Sequence, residues 1–386
     1  MKTMKYILTI CMFVCVSISC TSGTSNRESG EAIVTDSDIA ANGSDDSDIS
    51  EQDSGSDSRE LPDTMTIAMC GDIMMGTTYP NVQLPPNDGR DVFKDTKHIT
   101  QRADLAVGNL EGTLCDDGKS RKSPGPNSYS FRTPTKYAVN LTDAGYDFMS
   151  MANNHSRDFG DHGIEMSEKT LDAQGIAYAG VAGRREYAIV ERNGVKYGIC
   201  AFGHNSYTIK HTELQTVKRI LNTLRPLCDI LIVSFHGGAE GADRRSLPEG
   251  QENYLGENRG NLRQFTHFCI DNGADVIYGH GPHVTRCVEV YKNKFIAYSL
   301  GNFCTPYGMS LIGIKGYAPV VEIKIDSKGN FISGKIHSFI QQKGAGPRTD
   351  ASNSVAKEMK TLSEQDIKNP IVTIDNEGNI RMKNEK

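Results

Sequence analysis

Short apolar runs alternate along this chain with longer segments that mix hydrophobic and polar residues. Six of the apolar runs have the length of a strand and lie at 64–70, 103–107, 146–151, 229–235, 275–278 and 295–299. Helix-like stretches occur near 134–144, 162–174, 212–224 and 251–272. Strands that alternate with helices predict an α/β domain. The pair Asn193-Gly194, between two apolar segments, also predicts a tight β-hairpin.

Each of the six strand-like runs ends beside small and polar residues. The residues at or just after these ends carry carboxylate, amide or imidazole groups, and they are Asp72, Asn109, Glu111, Asn154, His155, His236, His280, His283 and Asn302. In open α/β sheets, sites gather at the carboxyl ends of strands, where a rigid scaffold holds the loops. We therefore expect these side chains to converge on one cleft.

The chemistry of this set points to metal binding. Carboxylate, amide and imidazole groups are ligands for Mn, Fe, Zn or Mg rather than for a soft thiolate site. Two metal ions about 3.5–4 Å apart need a bridging carboxylate, several imidazoles and open positions, which this set can supply. Single residues have ordinary alternatives, since Asp72 could cap a turn and Glu111 could be a solvated charge. The histidines without a strand-end context are interpreted as structural: His98, His162, His204, His211, His267 and His337.

The first 62 residues differ from the rest of the chain. Residues 1–20 begin with two lysines, continue with an apolar stretch and reach Cys20 after small residues. This pattern predicts a lipoprotein signal peptide with the lipid on Cys20; a cleaved signal without lipid is the alternative. Residues 21–62 are acidic and have no aromatic residue, which predicts a disordered acidic tether. We therefore expect a lipid-anchored protein of the cell envelope, facing the periplasm or the outer surface.

The rest of the chain is predicted to hold one domain at 63–326, followed by a C-terminal hairpin and polar tail at 327–386. The formal net charge of −6 comes mainly from the acidic tether. The nearly neutral remainder lacks the basic patch that nucleic-acid binding requires, so no nucleic-acid partner is expected. Outside the signal the cysteines are odd in number and have no CxxC spacing, which predicts small buried side chains rather than a disulfide framework.

Eight short motifs follow one another along the chain: GDIMMG at 71–76, NLE at 109–111, FRTP at 131–134, ANNH at 152–155 followed by Asp158, GVAGR at 180–184, HGGAE at 236–240, GHGPHV at 279–284 and SLGNF at 299–303. They resemble the motifs of CapA, the family of poly-γ-glutamate capsule synthesis proteins. The resemblance runs in family order from about residue 64 to 325. The CapA family in turn resembles calcineurin-like metallophosphoesterases. The resemblance therefore implies a four-layer α-β-β-α sandwich of the metallophosphoesterase type.

The same resemblance implies two divalent metal ions. Glu111 would replace the usual bridging aspartate. The implied ligands are Asp72, Glu111, Asn154, His236, His280 and His283. Phosphoesterases carry Asp-x-His at the first strand end, whereas this chain has Met74 in the histidine position. A thioether is a poor ligand for a hard metal, so we expect the first site to be one ligand short and weak.

The remaining roles concern the substrate. The resemblance implies that His155 acts as an acid beside the scissile group and that Asp158 orients it. Substrate contacts are expected from Asn109, Arg132 and Asn302.

Two functions follow from these expectations. One is a metal-dependent phosphoesterase or related hydrolase in capsule synthesis, acting on a phosphoester or an anionic polymer. The alternative is a non-catalytic, lipid-anchored protein that binds an anionic capsular polymer, which the basic segment 119–122 could contact. Other capsule-synthesis proteins are further partners to consider.

Overall fold

The computed structural model describes residues 60–123, 125 and 128–383. Its strands in chain order are β1 Thr64–Ile73, β2 Leu105–Leu110, β3 Thr113–Leu114, β4 Arg132–Thr133, β5 Phe148–Ser150, β6 Ala177–Ala179, β7 Tyr187–Arg192, β8 Val195–Phe202, β9 Ile230–His236, β10 Glu252–Tyr254, β11 Glu257–Gly260, β12 Val276–His280, β13 Val288–Tyr291, β14 Lys294–Ala297, β15 Asn302–Cys304, β16 Val320–Asp326, β17 Phe331–His337, β18 Phe339–Gln342, β19 Gly346–Thr349, β20 Val372–Ile374 and β21 Asn379–Met382. The α-helices are α1 Lys97–Thr100, α2 Val139–Asp143, α3 Gly160–Ala173, α4 Leu214–Leu224, α5 Leu262–Asp271 and α6 Ser354–Asp366. Short 3₁₀ helices lie at Asn87–Gly89, Thr135–Ala138, Arg225–Leu227, Ala242–Arg244 and Gly313–Gly316.

Two large sheets dominate the described part of the chain. The first has the order β20-β21-β17-β16-β1-β2-β5-β6, with β15 also paired to β1. In it, β15, β1, β2, β5 and β6 are parallel neighbours. The second has the order β13-β14-β12-β9-β8-β7, with β14, β12, β9 and β8 parallel. Parallel strands end at the same edge of a sheet, so each sheet has one edge where loops and side chains can gather.

The period-two alternation of β1 explains why the two sheets stack. Ile67 and Met69 are fully buried and belong to the central core, together with Ile232 of β9 in the second sheet. Ala68, between them in sequence, lies on the opposite face, in a separate core with Leu171 of α3. A strand that is apolar on both faces is thus buried between the other sheet and a helical layer.

The second sheet is covered in the same way on its outer face. Leu231 of β9 and Ile277 of β12 share a core with Val217 of α4 and Phe265 of α5. The layers are therefore helix, sheet, sheet and helix, which confirms the predicted four-layer α-β-β-α sandwich. No helix within 60–123, 125 and 128–383 is both long and apolar enough to cross a membrane.

The C-terminal segment corrects the prediction of a hairpin followed by a polar tail at 327–386. The β16–β17 hairpin is present, but α6, β20 and β21 follow it, and β21 pairs with β17 in the first sheet. Val355, Met359 and Ile380 lie in the central core. A few apolar residues at helix or strand spacing are enough to bury this largely polar segment, so the fold extends well past 326.

Other local predictions had mixed outcomes. The Asn193-Gly194 hairpin is confirmed as the turn between β7 and β8. The predicted helix near 251–272 begins only at Leu262, since the hairpin of β10 and β11 precedes it. The seven described cysteines are free, and all except the partly buried Cys228 are buried, as expected. The signal peptide predicted at 1–20 and most of the tether predicted at 21–62 lie outside the described residues, which begin at 60.

Candidate metal and active site

The candidate site lies where strand ends of the two sheets meet. Asp72 in β1 pairs in register with Asn109 of β2 and Asn302 of β15. In the second sheet, His236 and His280 are register partners at the ends of β9 and β12. These two rows of polar residues come from segments far apart in sequence, and the structure brings them into contact.

Glycines permit the close approach of the backbone at this junction. Gly281 follows His280 with φ of +117°, and a Cβ atom there would lie 2.4 Å from the carbonyl oxygen of Gly237. Gly71 precedes Asp72, and a Cβ atom there would lie 2.0 Å from the carbonyl oxygen of Gly301. Larger residues at these positions would push the ligand-bearing strand ends apart.

The carboxylates of Asp72 and Glu111 are fully buried and are bridged by one amide group. Asn109 Nδ2 donates to Asp72 Oδ1 at 2.9 Å and to Glu111 Oε2 at 2.7 Å. Asn109 Oδ1 in turn accepts from Asn153 Nδ2 at 3.0 Å. Because its amide is buried and occupied by neighbours, Asn109 positions the two carboxylates. This placement contradicts its predicted role as a substrate contact.

Three imidazoles from the second half of the chain surround these carboxylates. His283 Nδ1 lies 2.9 Å from Asp72 Oδ2, and His280 Nδ1 lies 3.3 Å from Asp72 Oδ1. His236 Nε2 lies 3.4 Å from Glu111 Oε2. Each of five predicted ligands thus contacts another of the six at 3.4 Å or less, in one group around Asp72 and one around Glu111.

The charges in this cluster perturb one another strongly. Burial alone raises the pKa of Asp72, but the imidazoles of His280 and His283 outweigh burial and hold that pKa well below its usual range. Burial also raises the pKa of Glu111, yet His236 and other neighbours bring it down to about 2. For His283, burial lowers the pKa, but Asp72 raises it to about 9. The carboxylates are therefore ionised at neutral pH.

Several side-chain atoms of the six predicted ligands have no hydrogen-bond partner among the described residues. They are Glu111 Oε1, Asn154 Oδ1 and both ring nitrogens of His236 and His280. A buried polar atom left unpaired costs about 1–3 kcal/mol, so such a concentration calls for another partner. One ligand atom each of Glu111, His236 and His283 lie within 4.8 Å of one another. This donor set fits a divalent metal ion.

His155 and Asp158 form a hydrogen-bonded pair beside the cluster. His155 Nδ1 lies 2.8 Å from Asp158 Oδ2, which also accepts from the backbone N–H of Phe131 at 2.7 Å. Asp158 Oδ1 lies 2.7 Å from Lys122 Nζ. His155 Nε2, on the other side of the ring, is 4.0 Å from Glu111 Oε1. Asp158 thus fixes a ring whose second nitrogen faces the candidate metal ligands.

A cleft of about 250 Å³ opens over the site and is lined by His155, His283 and Asn302. Asn302 lines this cleft, and its Oδ1 has no hydrogen-bond partner among the described residues. The substrate contact predicted for Asn302 therefore stays a prediction. Arg132 does not line this cleft. Its guanidinium donates to Thr78 Oγ1 at 2.9 Å and to the Gly118 carbonyl at 3.1 Å. These two donors hold neighbouring loops, and a substrate contact of Arg132 stays a prediction.

Comparison with known proteins places this architecture in a family. The model of the bacterial capsule synthesis protein family, PGA_cap, matches residues 66–307. The chain belongs to this family. Its relatives include the PGA biosynthesis protein CapA of Bacillus subtilis (strain 168), which is 26% identical over 262 residues, 64% of each chain. The chain thus covers less than two thirds of that relative's length.

Other similarities extend the comparison. The capsule biosynthesis protein CapA of Bacillus anthracis is 27% identical over 308 residues, covering 74% of this chain and 70% of the relative. Among solved structures, the calcineurin-like phosphoesterase YfkN from Bacillus subtilis aligns with a TM-score of 0.41 and 14% identity, over 78% of this chain and 97% of that one.

In this capsule synthesis family member, sequence reasoning missed four residues near the site. Asn153 orders Asn109, although the ANNH motif drew attention only to its neighbours. Lys122 was noted as part of a basic segment, not as the partner of Asp158. His204 stacks on His236 with ring centroids 5.6 Å apart, and burial lowers its pKa to about 2. His211 is buried, and burial lowers its pKa to about 3. His204 lies two residues after β8 ends at Phe202, so a strand-end signal was present and was overlooked, whereas no such signal marks His211.

Proposed function

We propose that this protein is a metal-dependent hydrolase that cleaves a phosphoester, or a chemically related linkage, during capsule synthesis at the cell envelope. One observation carries the proposal. A buried cluster of candidate ligands, several of whose atoms lack a hydrogen bond within the described part of the chain, lies beside an oriented His155–Asp158 pair and under an open cleft. Strongly perturbed ionisable groups in a cleft are typical of catalytic sites.

The ligands would divide between two metal ions. Asp72 and His283 would hold the first ion, and Glu111 would bridge to the second. The second would be held by Asn154, His236 and His280. A bound divalent ion supplies Lewis-acid stabilisation of a phosphoryl oxygen and lowers the pKa of bound water. Met74 is buried at the position where another ligand is expected, so the first ion would bind more weakly.

The His155–Asp158 pair would handle the proton of the leaving group. Asp158 Oδ2 lies 2.8 Å from Nδ1 of His155 and so selects the orientation of the ring. Nε2 then faces the cluster and can hold the proton that the leaving oxygen needs. The ammonium group of Lys122 lies beside the other oxygen of Asp158 and compensates the charge of this buried carboxylate.

Metal content and turnover of the full-length chain test the proposal. We expect stoichiometric Mn²⁺ binding and Mn²⁺-dependent hydrolysis of bis(p-nitrophenyl) phosphate. Asp72→Asn should remove most bound metal and lower turnover by about a hundredfold or more. Asp143→Asn is the matched control, because that carboxylate is exposed and pairs with Lys97 on the surface. Background turnover in the wild type, unchanged by Asp72→Asn, would refute the hydrolase.

Non-catalytic binding of an anionic polymer is the second candidate, favoured by the buried Met74 where a metal ligand is expected. Under this function the protein would bind the polymer without any metal-dependent cleavage, and a chelator would leave binding unchanged. Measuring polymer binding and polymer chain length in parallel, with and without a chelator, discriminates the two functions.

The place of action is part of the proposal. We expect Cys20 to carry the lipid that anchors the chain to the cell envelope. Metabolic labelling with an alkyne fatty acid should mark the wild type but not Cys20→Ser. Labelling of both proteins, or of neither, would contradict a lipid on Cys20.

A further inference from the structure

A second cleft of about 490 Å³ lies on the other side of the His155–Asp158 pair. It is lined by Arg121, Lys122, Arg157, Gly160, Asp161 and Tyr207. None of these residues lines the cleft above the metal cluster. We call this second space the basic cleft, because three of its lining side chains are cationic and one is a carboxylate.

The charges in the basic cleft are incompletely neutralised. Asp161 is paired with Arg157, whose Nε lies 3.0 Å from its carboxylate. Lys122 is paired with the buried Asp158 at 2.7 Å. For Arg121, no ion pair and no side-chain hydrogen bond connects the guanidinium to any residue within 60–123, 125 and 128–383. A cation that no carboxylate offsets is available to an anionic ligand.

The backbone holds Arg121 at the wall of this cleft. Its N–H donates to the carbonyl of Asp158 at 2.8 Å, so the loop is tied to the same segment that carries the His–Asp pair. Its side chain lies over Gly160, where a Cβ atom would be 3.1 Å from Arg121 Nε. Gly160 also has φ of +70°, so a larger residue there would be strained as well as crowded.

The basic cleft adjoins the candidate reaction site through one contact. Lys122 Nζ lies 3.0 Å from His155 Nδ1, and His155 lines the cleft above the metal cluster. A substrate that extends past His155 toward Lys122 would therefore approach the cleft that Arg121 and Arg157 also line. Such a path suits a chain with charge at regular intervals better than a compact, neutral substrate.

We infer that the basic cleft is a subsite that binds an oxyanion, a carboxylate or phosphate, of an extended substrate next to the group that reacts at the metal cluster. This inference rests on the proposed function for the reacting group. Arg121 selects for negatively charged chains, because a guanidinium pairs with either oxyanion through two parallel N–H donors. Arg157 adds positive charge to the cleft, although its Nε and Nη2 already donate to Asp161. Binding to the cleft is therefore expected to weaken at high salt.

The test measures binding to the full-length protein rather than turnover. The probes are a fluorescent oligo-γ-glutamate, the same oligomer with its carboxylates amidated, and a phosphodiester oligomer of equal charge. The variant Arg121→Gln/Arg157→Gln should bind the charged oligomers roughly ten- to a hundredfold more weakly than the wild type. The neutral oligomer should bind weakly to both proteins. Arg121→Lys/Arg157→Lys should recover much of the affinity and so exclude misfolding as the cause.

The matched control is Lys119→Gln, which removes an exposed cation from the same loop without touching the cleft. It should leave the dissociation constants within about twofold of the wild type. Preference for the carboxylate or the phosphate oligomer identifies the oxyanion source, and either preference supports the subsite. Equal binding of charged and amidated oligomers, or an unchanged dissociation constant in the double glutamine variant, would overturn it.

Failure of the subsite is distinguishable from failure of the hydrolase. If the wild type lacks metal-dependent turnover but binding still depends on Arg121 and Arg157, the proposed hydrolysis is wrong and the subsite stands. If turnover responds to metal while oligomer binding ignores charge, the hydrolase stands and the subsite is wrong.

Discussion

The two sheets contribute different chemistry to the same site. The first sheet supplies oxygen ligands, with Asp72 in β1 and Glu111 after β2. The second supplies imidazoles, with His236 and His280 at the ends of β9 and β12 and His283 in the turn that follows. Each half is unfavourable alone, because buried carboxylates repel each other and buried imidazoles lack acceptors.

The pKa values of the cluster show how the two halves compensate. The pKa of Glu111 is raised by burial and by Asp72 from its own sheet, and it is lowered by His236 from the other sheet. The lowering by His236 and other neighbours outweighs the two raising effects, so the pKa of Glu111 falls to about 2. The charged state of the oxygen half thus depends on the imidazole half. The site is a property of the junction between the sheets rather than of either sheet.

The largest expected effect comes from removing one ligand from each half. Glu111→Gln and His236→Gln should each lower Mn²⁺-dependent turnover by about a hundred- to a thousandfold, since either loss disrupts the shared ligand set. Bound metal, measured by elemental analysis, should fall in both variants. His337→Gln is the control, because this imidazole pairs with Glu322 at 2.9 Å outside the cluster. Full metal binding in either variant would contradict the idea that both sheets are required to hold the metal.

A second effect separates proton transfer from metal binding. Asp158→Asn leaves the predicted ligands intact but removes the charge that orients His155. Turnover should fall by about a hundredfold. Metal content should stay at the wild-type level, and His155→Gln should give a loss of similar size. If Asp158→Asn instead releases the metal, the pair is part of the ligand framework and not of the proton path.

The pH dependence of metal affinity should report the contact between the halves. In the metal-free protein, Asp72 raises the pKa of His283 from 6.5 to about 9. A ligand imidazole must be neutral, so affinity should fall about tenfold for each pH unit below 9. The same shift stabilises the metal-free fold fully below pH 6.5, and this contribution fades as pH rises through about 9.

Competition with a chelator between pH 6 and 9 measures this slope. His283→Gln should flatten it, because the variant lacks the proton that the metal must displace. A wild-type affinity that does not change over this range would contradict the assigned contact between Asp72 and His283.

The smallest effect should come from adding a ligand to the oxygen half. Met74 lies two residues after Asp72, just past the end of β1, at the position where a further ligand is expected. Met74→His should tighten metal binding several-fold, or about 1 kcal/mol, at some cost in thermal stability since the site is buried. Met75→His is the control, because Met75 lies in an apolar core, and it should not tighten binding. Equal affinities in all three proteins would mean that position 74 does not reach the metal.

Much of this architecture was predictable from local pattern. The positions at strand ends identified the residues that converge, because the carboxyl ends of parallel strands lie at the same edge of a sheet. The pattern did not indicate a residue's role where that role depends on its hydrogen-bond partners in the folded protein. Asn109 has the composition of a substrate contact, yet Asp72, Glu111 and Asn153 occupy its amide. Arg132 likewise donates to a neighbouring loop, at Thr78 Oγ1, which its sequence position did not indicate.

The sequence by itself determined the alternation of strands and helices, the family motifs and the chemical kinds of ligand available, because these depend on residues close together in the chain. Tertiary structure alone decided which carboxylate meets which imidazole, how Lys122 reaches Asp158, and that α6 and β21 complete the sandwich. Those outcomes depend on the order and stacking of the sheets, which bring segments more than a hundred residues apart, such as Asp72 and His283, within hydrogen-bonding distance.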